Sequence, residues 1–214
     1  MSDAYDPGRE GAKMSMAEAM SYGDYLNLDA LLDQQSPLSD AHDELLFIIQ
    51  HHTSELWMKL ILHEMQAARE ALIARDLPPM FKMLARVSRI FEQLNNQWDI
   101  LRTMTPSDYT TFREVLGPSS GFQSYQYRLI EYVLGNRNPN LLKPHAHVPE
   151  VHEQLKKEIE RPSLYDEAVR FLFETLDGDD RNLPAPQLDH PHEAVEAIQE
   201  IGRASCRERV SPYV

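Results

Sequence analysis

Apolar residues recur at helical spacing over residues 43–74. Leu45, Ile49, Leu56 and Leu60 form one line, and Phe47, Ile48, Met58 and Leu62 another. The period predicts one long helix, with Ser39 or Asp40 as its N-cap. Pro78 and Pro79 then punctuate the chain; a proline suits the first helical turn, where its missing N–H has no intrahelical partner to lose. Met80, Met83, Leu84, Val87, Ile90, Phe91, Leu94, Trp98 and Leu101 follow at heptad-like spacing and predict a second long helix. The connection is short, so the two helices should pack as an antiparallel hairpin.

The remaining elements are shorter. Residues 22–29 carry two tyrosines three apart and read as extended chain or a short turn. Residues 34–37, Gln-Gln-Ser-Pro, read as a loop. Thr105-Pro-Ser-Asp108 is a capping-box variant that opens a short helix bearing Tyr109, Phe112 and Arg113, which Gly117-Pro118 ends. Residues 122–134 are helical by period, with Gly135 as the stop. Residues 150–160 form a charged, exposed helix. A helix capped at Ser163 runs to about Leu176, and a last short one covers 193–201. No β-alternation and no repeat occurs. The fold class is all-α: a long antiparallel hairpin within a helical bundle. Residues 1–20 are polar, without period, and read as a disordered arm. Residues 21–201 form the helical domain, and 202–214 a tail unlike the rest.

Composition narrows the function classes. The chain has 214 residues, 42% hydrophobic and 26% charged, which supports a real core under a polar surface. Net charge is −13, from 34 acidic against 21 basic residues. That argues against nucleic acid and anionic membranes as partners, since both need a positive footprint. One cysteine, Cys206, excludes an internal disulfide and suits a reducing, cytoplasmic compartment. No apolar run approaches the roughly 20 residues of a membrane span, and the N-terminus has no hydrophobic targeting core.

Two pairs of residues point to chemistry. Phe47 and His51 are four apart and share a helix face, which places an imidazole beside an aromatic ring. Spacing alone is also met by a core histidine bonded to a carbonyl. Tyr109 and Arg113 are likewise four apart. A guanidinium fork with a phenol beside it can grip a carboxylate, and the same arginine could pair with Glu114 or Asp108. The loop Pro118-Ser-Ser-Gly121 leads into helix N–H groups that can meet an anion. Metal motifs are weak: His63-Glu64 lacks the second histidine of a zinc-protease helix, because position 67 is Ala. His145, His147 and His152 read as a solvated loop cluster. No glycine-rich nucleotide loop occurs, and Cys206 has no base partner.

Five segments, in order, resemble the bacterial tryptophan 2,3-dioxygenases. They are Tyr22-Gly-Asp-Tyr25-Leu26, Phe47-Ile48-Ile49-Gln50-His51-His-Thr-Ser-Glu-Leu-Trp57, Gln97-Trp98, Tyr109-Thr-Thr-Phe-Arg113 and Leu116-Gly-Pro-Ser-Ser-Gly-Phe-Gln-Ser124. The resemblance is strongest over residues 22–135 and extends more loosely to about 201. It implies an enzyme with a b-type haem (heme) cofactor that takes L-tryptophan and O2. Such an enzyme cleaves the indole C2–C3 bond to give N-formyl-L-kynurenine, opening tryptophan catabolism by the kynurenine pathway. It implies a homotetramer. By position, His51 would be the distal histidine bonded to the indole N–H. Phe47, Ile48, Ile49, Gln50, Tyr109 and Arg113 would contact the substrate, with Arg113 and Tyr109 on its carboxylate. Trp98, Ser119, Ser120 and Gly121 would line the haem, and Tyr22, Tyr25 and Leu26 would reach a neighbouring subunit's site. The family's proximal-histidine segment has no match here; His190 and His192 do not fit it, so no residue is assigned to the metal. The expectation is the N-terminal two-thirds of such an enzyme, not a competent dioxygenase alone. The rival reading is a cofactor-free helical interaction module.

Overall fold

The computed structural model describes residues 6–12 and 19–176, and among these the only regular elements are helices. In chain order the α-helices are α1 (Tyr22–Leu26), α2 (Leu28–Leu32), α3 (His42–Ile73), α4 (Leu77–Asn96), α5 (Trp98–Leu101), α6 (Pro106–Arg113), α7 (Tyr125–Leu134), α8 (Pro149–Glu160) and α9 (Leu164–Leu176). Short 3-10 turns cover Pro7–Glu10, Gly121–Gln123 and Pro139–His145. The first of these lies in the segment expected to be a disordered arm. The expected helix over 193–201, the tail and Cys206 lie outside the described residues, as do His190 and His192.

The two long stretches form the hairpin their periods predict. α3 has 32 residues, hence a length of about 48 Å at 1.5 Å per residue. It packs along α4, and α7 and α9 lie on it as well. The core is drawn from all of these: Ile61, Met65, Ala68 and Leu72 of α3, Leu84 and Val87 of α4, Ile130 and Val133 of α7, with Leu155 and Leu164 closing it. Arg75 ends α3 in the left-handed region, and its guanidinium pairs with Glu174 of α9. Gly135, at φ 113°, ends α7. A Cβ there would meet Ser163 Oγ at 3.4 Å, an ordinary contact, so it is the left-handed backbone that the stop needs glycine for.

Four expectations change. Residues 22–29 are not extended: Ser21 and Asp24 form a complete capping box that nucleates α1, and Asn27 at φ 50° separates it from α2. The N-cap of α3 is neither Ser39 nor Asp40 but Ala41. Glu44, in the first turn, reaches back to accept the Leu38 and Ser39 N–H groups at 2.7 and 2.8 Å and the Ser39 hydroxyl. These hydrogen bonds, the Leu38 amide foremost, hold the Glu44 carboxyl below the usual carboxylate range. The second long helix breaks at Gln97, so Trp98 and Leu101 belong to α5. Finally, α8 is not simply exposed. Leu155 and Glu158 are buried, and Glu158 receives Arg69 Nη1 of α3 at 2.5 Å. Arg69 also donates to the Pro162 carbonyl at 3.2 Å, so one buried arginine ties α3 to the α8–α9 corner.

Candidate active site on the first turns of the long hairpin

Phe47 and His51 project from the opening turns of α3 onto one face of the helix, as their spacing requires. The rings lie 4.2 Å apart, centroid to centroid, tilted by 40°. His51 Nδ1 is 2.7 Å from the Phe47 carbonyl oxygen. A carbonyl only accepts, so Nδ1 carries the proton. In the neutral ring Nε2 is then an acceptor, with no partner among the described residues.

α6 completes an aromatic wall. Its start is fixed by the predicted capping box: Thr105 Oγ1 accepts the Asp108 N–H at 3.2 Å, and Asp108 accepts the Thr105 N–H at 2.9 Å. These bonds, the Thr105 hydroxyl's first, hold the Asp108 carboxyl below its ordinary range. With the helix so placed, Tyr109 stands 5.9 Å from Phe47, and Phe112 stands 5.6 Å from Phe47 and 5.4 Å from Tyr109, nearly perpendicular to it. Such offset and edge-on pairs are the favourable geometries for aromatic rings. Phe112 is fully buried and anchors the wall, while Phe47, His51 and Tyr109 are half-buried and face outward. Phe112 was read from the sequence only as a helix position, although its i+3 spacing from Tyr109 was the available signal.

Arg113 resolves the second ambiguity. It forms no ion pair with Asp108, which the capping box consumes, or with Glu114. Its Nη1 donates to the Gly117 carbonyl at 2.8 Å. The guanidinium is otherwise exposed, one turn from Tyr109.

Other nominated residues are placed less centrally. α5 packs on α3 and carries Trp98, which is 53% exposed. Ser119, Ser120 and Gly121 are exposed; Ser120 Oγ accepts the Phe122 N–H at 3.2 Å and caps the 3-10 turn. Ile48 is half-buried and Gln50 buried. Ile49 sits on roughly the opposite side of α3 from Phe47, at 3.6 residues per turn, in an exposed stripe with Leu45 and Leu56. Tyr22, Tyr25 and Leu26 are all exposed, and the main packing partner of their helix is α2.

Of the three histidines expected to be solvated, His145 alone is buried; His147 is exposed and His152 half-buried. His145 is buried, and its Nε2 has no partner. Burial, then the charges of Arg128, His147 and His152, push its pKa down. Among the described residues no group of three or more His, Cys, Asp or Glu could hold a metal ion. No described helix is long and apolar enough to cross a membrane.

Comparison with known proteins gives the chain's family. The family model described as tryptophan 2,3-dioxygenase matches residues 7–176. The chain is 75% identical over 201 residues to a tryptophan 2,3-dioxygenase of Ruegeria sp. (strain TM1040), covering 94% of this chain and 72% of that protein. It is 61% identical to the one from Ruegeria pomeroyi, over 95% of this chain and 73% of that protein. The one from Bradyrhizobium sp. (strain ORS 278) is 66% identical over 80% of this chain and 62% of its own length. The chain belongs to the tryptophan 2,3-dioxygenase family of oxidoreductases.

Proposed function

We propose that the wall built by Phe47, His51, Tyr109 and Arg113 binds L-tryptophan for oxidation by O2 with haem, giving N-formyl-L-kynurenine. One observation carries the reading: the Phe47 carbonyl accepts a hydrogen bond from His51 Nδ1–H, which makes Nε2 of the neutral ring an acceptor beside an aromatic ring. Tryptophan offers the complement, a flat apolar ring with a single N–H donor. Phe47 stacks the indole, His51 Nε2 accepts its N–H, and Arg113 with Tyr109 meets the carboxylate at the far end. Few polar anchors in an apolar slot are what a small amphipathic ligand requires. His51 orients the substrate and holds the indole proton's position.

The residues present fit a haem in part. An aromatic wall, the half-exposed Trp98, and the exposed Ser119 and Ser120 hydroxyls suit a large flat group with a polar edge. The haem would activate O2 when bound. Ile48, Gln50 and Gly121 would back this slot, and no residue of this chain is assigned to the iron. Assembly into a homotetramer accounts for the exposed Leu45, Ile49 and Leu56 stripe, and for the exposure of Tyr22, Tyr25 and Leu26.

The test is tryptophan turnover, read as N-formylkynurenine absorbance, with haem, reductant and O2. It is run on the chain alone and on the chain joined to the C-terminal segment of the Ruegeria TM1040 relative. The reading expects weak haem binding and no turnover from the first, and a Soret band with turnover from the second. A joined protein that holds haem but does not oxidise tryptophan would refute it.

A further inference from the structure

We propose that Gln97 is a positioning residue of the tryptophan site, fixing Trp98 relative to the peptide unit that carries His51. The inference rests on the reading above that Trp98 and His51 face the same bound group. Gln97 stands at the α4–α5 junction, where the heptad-like spacing would otherwise run on unbroken. Its side chain is turned inward and only 7% of the residue is exposed. A buried amide is costly unless bonded, so its presence at this junction needs a partner. Nε2 donates to Ser54 Oγ at 2.5 Å, and Ser54 Oγ donates to the Gln50 carbonyl at 2.8 Å. The single hydroxyl proton of Ser54 is committed to that carbonyl. Ser54 can therefore only accept from Gln97, which sets the amide's orientation. The second contact, Thr53 Oγ1 to Gln97 Oε1, is 3.5 Å long, and the Thr53 proton is better used on Gln50 O at 2.9 Å. The tether is thus one chain: Gln97 amide, Ser54 hydroxyl, Gln50 carbonyl. That carbonyl belongs to the same peptide plane as the His51 N–H.

At the other end the tether acts on Trp98, the next residue. The Ile100 N–H donates to the Gln97 carbonyl at 3.1 Å, the tight turn that begins α5. Gln97 therefore holds Trp98 through one covalent step and His51 through one shared peptide plane. Catalytic geometry is sensitive to displacements of about 1 Å, and besides the long Thr53 contact the Ser54 bond is the side-chain hydrogen bond that joins Gln97 to α3.

The experiment uses Trp57→Phe as background, which leaves Trp98 the sole tryptophan of the two in the chain. Trp98 anisotropy and emission are read without ligand. L-tryptophan affinity is read by calorimetry in the natural sequence. Gln97→Leu and Ser54→Ala should each lower Trp98 anisotropy and shift its emission to the red. Each should weaken L-tryptophan by about fivefold, the loss of one ordinary hydrogen bond. The double variant should add little, Ser54→Thr should restore both readouts, and Thr53→Ala should change neither. Circular dichroism establishes that each variant is folded. Folded Gln97→Leu and Ser54→Ala with Trp98 anisotropy and tryptophan affinity at parental values would overturn the proposal. So would additive losses in the double variant. A parent that binds no tryptophan, with Trp98 still loosened by both variants, would instead show a structural tether: the site reading fails, and with it the positioning role.

Discussion

Replacing Arg113 by lysine tests the carboxylate grip. One guanidinium nitrogen is already engaged by the Gly117 carbonyl at 2.8 Å, and the others are open to a ligand. A lysine ammonium is a point charge on a different stem. It can serve the carbonyl or the carboxylate but cannot present a planar fork to both. Hydrogen bonds to charged groups contribute roughly 1.5–3 kcal/mol. Arg113 is exposed, so solvent screening reduces that figure. A net loss of about 1–2 kcal/mol follows, or roughly five- to thirtyfold in affinity. The loss should fall on L-tryptophan and spare tryptamine, which has no carboxylate. Calorimetric titration of both ligands gives the ratio of affinities, in which general damage to the slot cancels. A tryptophan-to-tryptamine ratio unchanged in Arg113→Lys would refute the assignment.

Other outcomes follow from the same geometry. His51→Ala, in a haem-loaded and turning-over form, should slow tryptophan oxidation without abolishing it, because an orienting bond and not an obligatory base is lost; complete loss with substrate still bound would assign His51 a proton-transfer role. Glu158→Gln leaves the Arg69 charge buried and should cost about 3–5 kcal/mol by chemical denaturation, whereas Glu92→Gln, whose ion pair with Arg89 is exposed, should change stability little. His145 has a folded-state pKa below its ordinary 6.5, so the native state binds fewer protons than the unfolded chain. Its contribution is complete above 6.5 and is lost as pH falls toward and through the lowered value, so His145→Phe should flatten that limb of the stability curve. An NMR titration placing His145 at or above its ordinary value would contradict this.

Much of the fold is legible in the residues because its signals are local. The 43–74 and 80–96 periods, the Thr105–Asp108 box and the Gly135 stop each act within one or two turns. Three of the four misses share a physical cause: a side chain reaches back or across to a partner outside its own helical turn; the fourth, α1, rests on the local Ser21–Asp24 box. Glu44 replaces Ser39 and Asp40 at the start of α3 by bonding backward. Gln97 breaks the second heptad run because its amide is held by Ser54, 43 positions earlier. Glu158 is buried in a helix of charged composition because Arg69 of α3 meets it there. At the site, i, i+4 spacing puts Phe47 with His51 and Tyr109 with Arg113. That the two pairs meet, with Phe112 between them, is a packing outcome no spacing displays. The His51 tautomer, on which the functional reading turns, needs the 2.7 Å contact to Phe47 O.

The most direct measurement is therefore of His51 itself. With histidine rings labelled by 15N, and the His51 signals assigned by their loss in His51→Ala, L-tryptophan is titrated against 1-methyl-L-tryptophan, which lacks the indole N–H. The account predicts that L-tryptophan moves the His51 Nε2 resonance as that nitrogen accepts a hydrogen bond, while Nδ1 stays protonated and the methylated ligand leaves Nε2 unmoved. An Nε2 resonance indifferent to L-tryptophan, or moved equally by both ligands, would contradict it.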